Sequence, residues 1–72
     1  MMYSVAILYD NGMAARLSVK MRVEWKTKRI ACGHSNDVAA LIKGGRFDGA
    51  VETWVENEFG EKVYQPVIEV QL

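Results

Sequence analysis

Leu17-Ser18-Val19-Lys20-Met21-Arg22-Val23-Glu24-Trp25 alternates apolar and polar residues without a break. Side chains on a strand point alternately to its two faces. The pattern therefore predicts a strand with a dry face (Leu17, Val19, Met21, Val23, Trp25) and a wet one (Ser18, Lys20, Arg22, Glu24). A helix would scatter the five apolar residues around its circumference. On the wet parity, Arg16, Lys20, Arg22, Lys26 and Lys28 line up as one basic stripe.

Upstream, Tyr3 to Tyr9 (Y-S-V-A-I-L-Y) is an apolar, aromatic and β-branched run, hence a strand, and Asp10-Asn11-Gly12 after it signals a hairpin. Parity decides the loop length. A two-residue loop would put Ile7 opposite Arg16 and Val5 opposite Ser18. A three-residue loop pairs Ile7 with Ala15, Val5 with Leu17 and Tyr3 with Val19, so that every large residue shares one face. Gly12 then supplies the left-handed position of a type I turn with a bulge. The second strand outlasts this pairing, so its distal half needs another strand, a second molecule or a role as a projecting ribbon.

Downstream, Ala31 to Ser35 reads as a turn using Gly33, with Ser35 or Asn36 capping a helix of about two turns. Val38, Leu41 and Ile42 give it one apolar face, and Gly44-Gly45 ends it. Phe47-Asp48-Gly49 turns the chain into a third strand, Ala50 to Glu56. A four-residue loop, Glu58 to Glu61, leads to a fourth strand, Val63 to Leu72, pairing Val55 with Tyr64, Thr53 with Pro66 and Val51 with Ile68. Pro66 marks that strand as an edge, since proline donates nothing to a ladder.

The fold class is α+β: β-β-α-β-β, residues 1–72 as one small domain, with a mainly antiparallel four-stranded sheet and one short helix on one face. Strand order 2-1-3-4 makes every neighbour antiparallel and centres the first strand, which is apolar on both faces; order 1-2-3-4 is the alternative. The expected dry face holds Tyr3, Val5, Ile7, Leu17, Val19, Met21, Val23, Trp25, Val51, Val55, Ile68 and Val70. On the other face Ala6, Leu8, Trp54 and Val67 stand among charges.

A chain of 72 residues buries only about 60% of its unfolded surface, and scaffolds this small usually take a disulfide, a metal or a partner subunit. Cys32 is the only cysteine and His34 the only histidine, which excludes an internal disulfide and argues against a thiolate or imidazole metal site within one chain. Oligomerisation, such as a homodimer, or another protein partner remains. No apolar run approaches the roughly 18 residues of a membrane span, and the N-terminus lacks the pattern of a signal peptide, so no membrane association and a cytoplasmic location are expected. No cofactor motif is present. Formal charge is zero, yet Met13 to His34 carries six basic residues against Glu24 alone, and Asp48 to Leu72 carries six acidic residues against Lys62 alone.

Cys32-Gly33-His34-Ser35 is the one cluster of reactive types. A thiol beside an imidazole near a helix N-terminus is the makings of a nucleophile, but no acid is placed to orient the histidine, and a turn-and-cap segment is the simpler reading. Gly44-Gly45-Arg46 follows a helix, whereas phosphate loops precede one. What remains points to a non-enzymatic protein that binds a macromolecule as an inhibitor or adaptor, of the size that phages and mobile elements deploy against host or defence complexes. The expected contact residues are Arg16, Lys20, Arg22, Lys26, Lys28 and Arg29, with an apolar patch of Leu8, Trp54 and Val67; Trp and Arg are enriched at binding hot spots. The alternative is a nucleic-acid-binding module that lays the basic second strand along phosphates.

Overall fold

A computed structural model of the protein describes residues 1–68. The elements run β1 (Tyr3–Tyr9), β2 (Ala14–Arg16), α1 (Lys28–Lys43), β3 (Ala50–Asn57) and β4 (Lys62–Tyr64). The sheet is antiparallel throughout, in the order β2-β1-β3-β4, and α1 packs against β1 and β3 on one face. This is the α+β architecture and strand order expected, with apolar β1 at the centre.

The first hairpin has the three-residue turn. Ile7 pairs with Ala15 and Ala6 with Arg16, Gly12 adopts φ +84°, and its amide donates to the Tyr9 carbonyl at 3.0 Å. Burying Val5 and Ile7 on the helix side outweighs any preference for a shorter loop. The second hairpin uses the same device. Gly60 sits at φ +76° and donates to the Asn57 carbonyl, while the Asn57 amide donates to Glu61, so its loop is Glu58-Phe59-Gly60, one residue shorter than expected. An irregularity beside Val63 restores parity, and Val55 pairs with Tyr64 as the apolar pattern requires.

The second strand is the main correction. β2 stops at Arg16, and Leu17 donates once more to the Val5 carbonyl. The chain then leaves the sheet, reverses at Lys20-Met21 and comes back to pair Trp25 with Tyr3. Arg16, Lys20, Arg22, Lys26 and Lys28 consequently do not share one strand face. Met21 and Val23 are exposed, while Trp25 and the half-buried Leu17 and Val19 keep their places in the core. Burial of one indole ring beneath the helix offsets the loss of a short, two-sided ladder at a sheet edge.

The helix is twice the expected length. Thr27 is its N-cap, and Cys32-Gly33-His34-Ser35 lies inside it rather than forming a turn. Gly33 costs about 1 kcal/mol in a helix interior, less than the packing of the face it continues. That face is Ala31, Ser35, Val38 and Ile42, spaced four, three and four; Leu41, expected on it, is exposed. Gly44-Gly45 ends the helix as expected: with Gly45 at φ +69°, its amide donates to Ile42 and that of Arg46 to Leu41, the Schellman pattern.

The core has two parts: Val5, Trp25, Ala31 and Val55, and Ile7, Val38 and Ala50, with Leu17 touching both. Thr53 and Ser35 are fully buried between helix and sheet. Thr53 Oγ1 donates to the Ala6 carbonyl at 2.8 Å, which commits its only proton, so Ser35 must donate across the 3.1 Å gap to Thr53. Val51, expected in the core, is exposed, because it is the extra residue where β3 shifts register between Leu8 and Tyr9 and Ala50 takes the inner place. β4 ends at Tyr64, so the Thr53–Pro66 and Val51–Ile68 pairs do not form. Glu69, Val70, Gln71 and Leu72, assigned to the fourth strand from sequence, lie outside the described residues.

Candidate partner-binding surface

The loop that leaves the sheet edge builds one end of the molecule. Val19 and Arg22 exchange both backbone hydrogen bonds at 2.9 Å, closing a two-residue turn whose central residues, Lys20 and Met21, have φ +49° and +67°. Left-handed conformations at both positions define the type I′ turn, which normally selects Asn-Gly. Lys-Met bears a cost of about 1–2 kcal/mol per residue there. Met21 gains no packing in return, being 97% exposed at the tip.

Cations surround this tip. Lys20 and Arg22 line an open cleft with Val19, Trp25 and His34 of α1, where the indole and imidazole rings meet at a tilt of 42° with centroids 4.7 Å apart. On the other side of Arg22 a second cleft is lined by Glu24, Lys26, Thr27, Ile30 and Met2. Lys28 and Arg29 occupy the first turn of α1, which has no acidic residue. Positive side chains there oppose the helix dipole by a few tenths of a kcal/mol to about 1 kcal/mol each. Among the described residues, Lys20, Arg22, Lys26, Lys28 and Arg29 have no ion-pair partner. Arg16 reaches toward the second cleft from β2, its guanidinium 3.7 Å from Glu24.

The structure thus gathers the expected basic residues around one end, although by several elements rather than one strand. Sequence reasoning missed their apolar company: Met21 at the tip, Val23, and Ile30, which is half exposed. A helix start at Thr27 was detectable from the Ala31, Ser35, Val38, Ile42 spacing once alanine and serine are counted as inward-facing. No residue type at Lys20-Met21 announces a turn.

Across the sheet at this same end, the β3–β4 turn carries Glu58, Phe59 and Glu61. Phe59 is 72% exposed, and the N-terminal ammonium lies 3.9 Å from Glu58. The charge separation seen along the sequence therefore runs from the β2 edge to the β4 edge.

Of the expected apolar patch, Trp54 and Leu8 are neighbours, and Val67 lies beyond β4 beside Glu52, the residue paired with Leu8. Trp54 sits opposite Ala6 on the face away from the helix, with Leu8 diagonal to it. Its Nε1 donates to Glu56 at 2.9 Å, and Lys62 Nζ lies 4.3 Å above the ring. Val67 is exposed beyond β4, where it lines an open groove with Val51, Glu52, Gln65, Pro66 and Ile68. Cys32 is a free, half-buried thiol on the helix. Among the described residues no three His, Cys, Asp or Glu side chains gather to hold a metal ion, and no helix is long and apolar enough to cross a membrane.

Fold and surface together define a small antiparallel α+β domain with a strained, cationic hairpin at one corner. No protein-family model, curated protein or solved structure matches the chain.

Proposed function

We propose that this is a non-enzymatic protein-binding module, an inhibitor or adaptor, that seats the Lys20-Met21 tip in an apolar pocket rimmed by carboxylates on its target. The observation that carries this reading is the tip itself: two non-glycine residues in left-handed backbone, with a methionine presented to solvent between Lys20 and Arg22. Strain without internal return is understandable where an external contact supplies it. Lys26, Lys28 and Arg29 steer an acidic partner toward the tip and set its orientation. Trp54 plays no part in this contact. A cytoplasmic setting and the phage or mobile-element background suit a protein of this size and composition. Self-association is a second binding event, on a different surface.

The test is differential capture from a lysate of cells that carry the gene, with and without nuclease. A protein retained by the wild type, unaffected by nuclease, and lost with Lys20→Glu/Arg22→Glu or with Met21→Ala supports the reading. Recovery that depends on nucleic acid, falls uniformly with each charge reversal and ignores Met21→Ala would instead establish the phosphate-binding alternative.

A further inference from the structure

Lysine on an edge strand discourages pairing with another chain, but Lys20, Lys26 and Lys28 belong to the hairpin loop, the segment after it and the helix, and none lies on β2. The edge itself reads Met13-Ala14-Ala15-Arg16, and all three β2 residues are exposed. Met13 and Leu17 use their backbone on β1, since the Tyr9 amide donates to Met13 and the Leu17 amide to Val5. Ladder groups alternate sides along a strand, so the N–H and C=O of Ala14 and Arg16 face outward with no turn or loop bonded to them. An edge with small side chains and unpaired backbone is a template for strand addition. The other edge is guarded by Pro66 beyond β4 and by Lys62.

We infer that a second copy of this chain adds antiparallel to β2, with the two-fold axis passing through Ala15. This extends the self-association part of the reading above, and its test changes Ala15 while leaving Lys20, Met21 and Arg22 in place. In that register Ala14 of each copy meets Arg16 of the other, and such outward-facing residues exchange both N–H···O bonds. Each guanidinium stands beside a methyl group, so the two arginines do not oppose each other. Ala15 meets Ala15 at the axis, a non-hydrogen-bonded pair with Cα atoms about 4.5 Å apart, where two methyl groups leave the approach of the backbones open.

Charge supports a copy as the occupant. The same register sets Leu17 of one molecule opposite Met13 of the other, so the loop that leaves the sheet after Leu17 starts beside the Asp10-Asn11-Gly12 turn of its mate. Asp10 is exposed, and its amide is held by the Gly49 carbonyl, which brings the Asp48 turn alongside. The basic loop of each copy thus begins beside the turns of its mate that carry Asp10 and Asp48. The hairpin does not block the approach, because it leans toward His34 on the helix side. The axis is perpendicular to the sheet, so the two four-stranded sheets join into one with both helices on the same side. A closed two-fold contact is also the commonest way small chains associate.

Sedimentation of the purified chain over a range of concentrations should show a monomer–dimer equilibrium. Ala15→Lys, at an exposed position, should remain folded by circular dichroism and sediment as a monomer, as should Ala15→Glu. Mixing the two should restore a dimer, because opposite charges then meet at the axis. In a Cys32→Ser background, Ala15→Cys should form an intermolecular disulfide on mild oxidation, its geometry lying within the usual Cα range, while Ala14→Cys, out of register with itself, should not. A wild type that stays monomeric at its highest soluble concentration, a dimer indifferent to Ala15→Lys, or equal cross-linking from Ala14→Cys would each overturn the assignment. None of these results alters the lysate capture attributed to Lys20, Met21 and Arg22.

Discussion

Tyr3 and Trp25 form a closed backbone pair: the Tyr3 amide donates to the Trp25 carbonyl at 2.7 Å, and the Trp25 amide donates to Tyr3 at 2.8 Å. Continuous pairing from the first turn would give that place to Val19. Six residues separate the two, an even number, so the chain can leave the sheet after Leu17 and return without exchanging its faces. The alternation that reads as one strand is equally compatible with a strand, an even-numbered detour and a return.

Replacing the tip by the residues its geometry favours tests both the strain and its purpose. Lys20→Asn with Met21→Gly is expected to stabilise the fold by about 1 kcal/mol, seen as a rise in Tm of about 4–8 °C. The same variant should lose the captured partner. A stabilised variant that still binds would remove the tip from the contact.

Trp25 and Met21 share one parity and should differ sharply. Trp25→Ala is expected to cost about 3–5 kcal/mol, a large share of the stability available to so short a chain. Met21→Ala, at a fully solvated position, should stay within about 0.5 kcal/mol. Urea unfolding of the two variants makes the comparison, and equal losses would mean the strand is unbroken after all.

The buried hydroxyl pair should behave as a unit. Thr53→Val strands the Ser35 proton and should cost about 2 kcal/mol, Ser35→Ala about 1 kcal/mol, and the double variant less than their sum. A double-mutant cycle by denaturant unfolding measures the coupling; strict additivity would deny the hydrogen bond.

Cys32 lies half-buried within α1, and among the described residues no side chain hydrogen-bonds His34 to orient it for proton transfer; its imidazole packs at a tilt against Trp25. Cys32→Ser is expected to leave partner capture unchanged. Loss of capture with an intact circular dichroism spectrum would give the thiol a role.

Salt separates steering from seating. Lys28→Glu and Arg29→Glu, on the helix rather than in the tip, should slow association of the captured partner at low ionic strength with little effect on dissociation, and the difference should fade as salt rises. Surface plasmon resonance at two salt concentrations reads both rates.

How much was legible follows from these residues. β1, the first turn and the sheet order were readable because one apolar face, one glycine and the parity of Val5 and Ile7 agree with each other. The start of α1 was obscured by its small inward residues: Ala31 packs with Val5, Trp25 and Val55 and Ser35 bonds Thr53, but neither carries a hydrophobic signal, and Gly33 imitates a breaker. The turn at Lys20-Met21 was invisible because its residues suit a strand and disfavour the backbone they adopt. Basic residues could be chosen by type, but their assembly at one end depends on that turn and on the hidden first half of the helix.

The position of β1 has a consequence for the chain during synthesis. Its β2 side is satisfied within a few residues, whereas its other side pairs with β3, as in Tyr3 with Asn57 and Ile7 with Thr53. Until Asn57 has emerged, the most apolar strand of the protein lies with one edge bare. Any fragment ending before Ala50 keeps it so permanently, and exposed apolar edges are what nascent chains aggregate through. Truncations meant to isolate the first hairpin or the helix should therefore be insoluble, and cooperative folding should begin only when β3 closes the long loop back to β1.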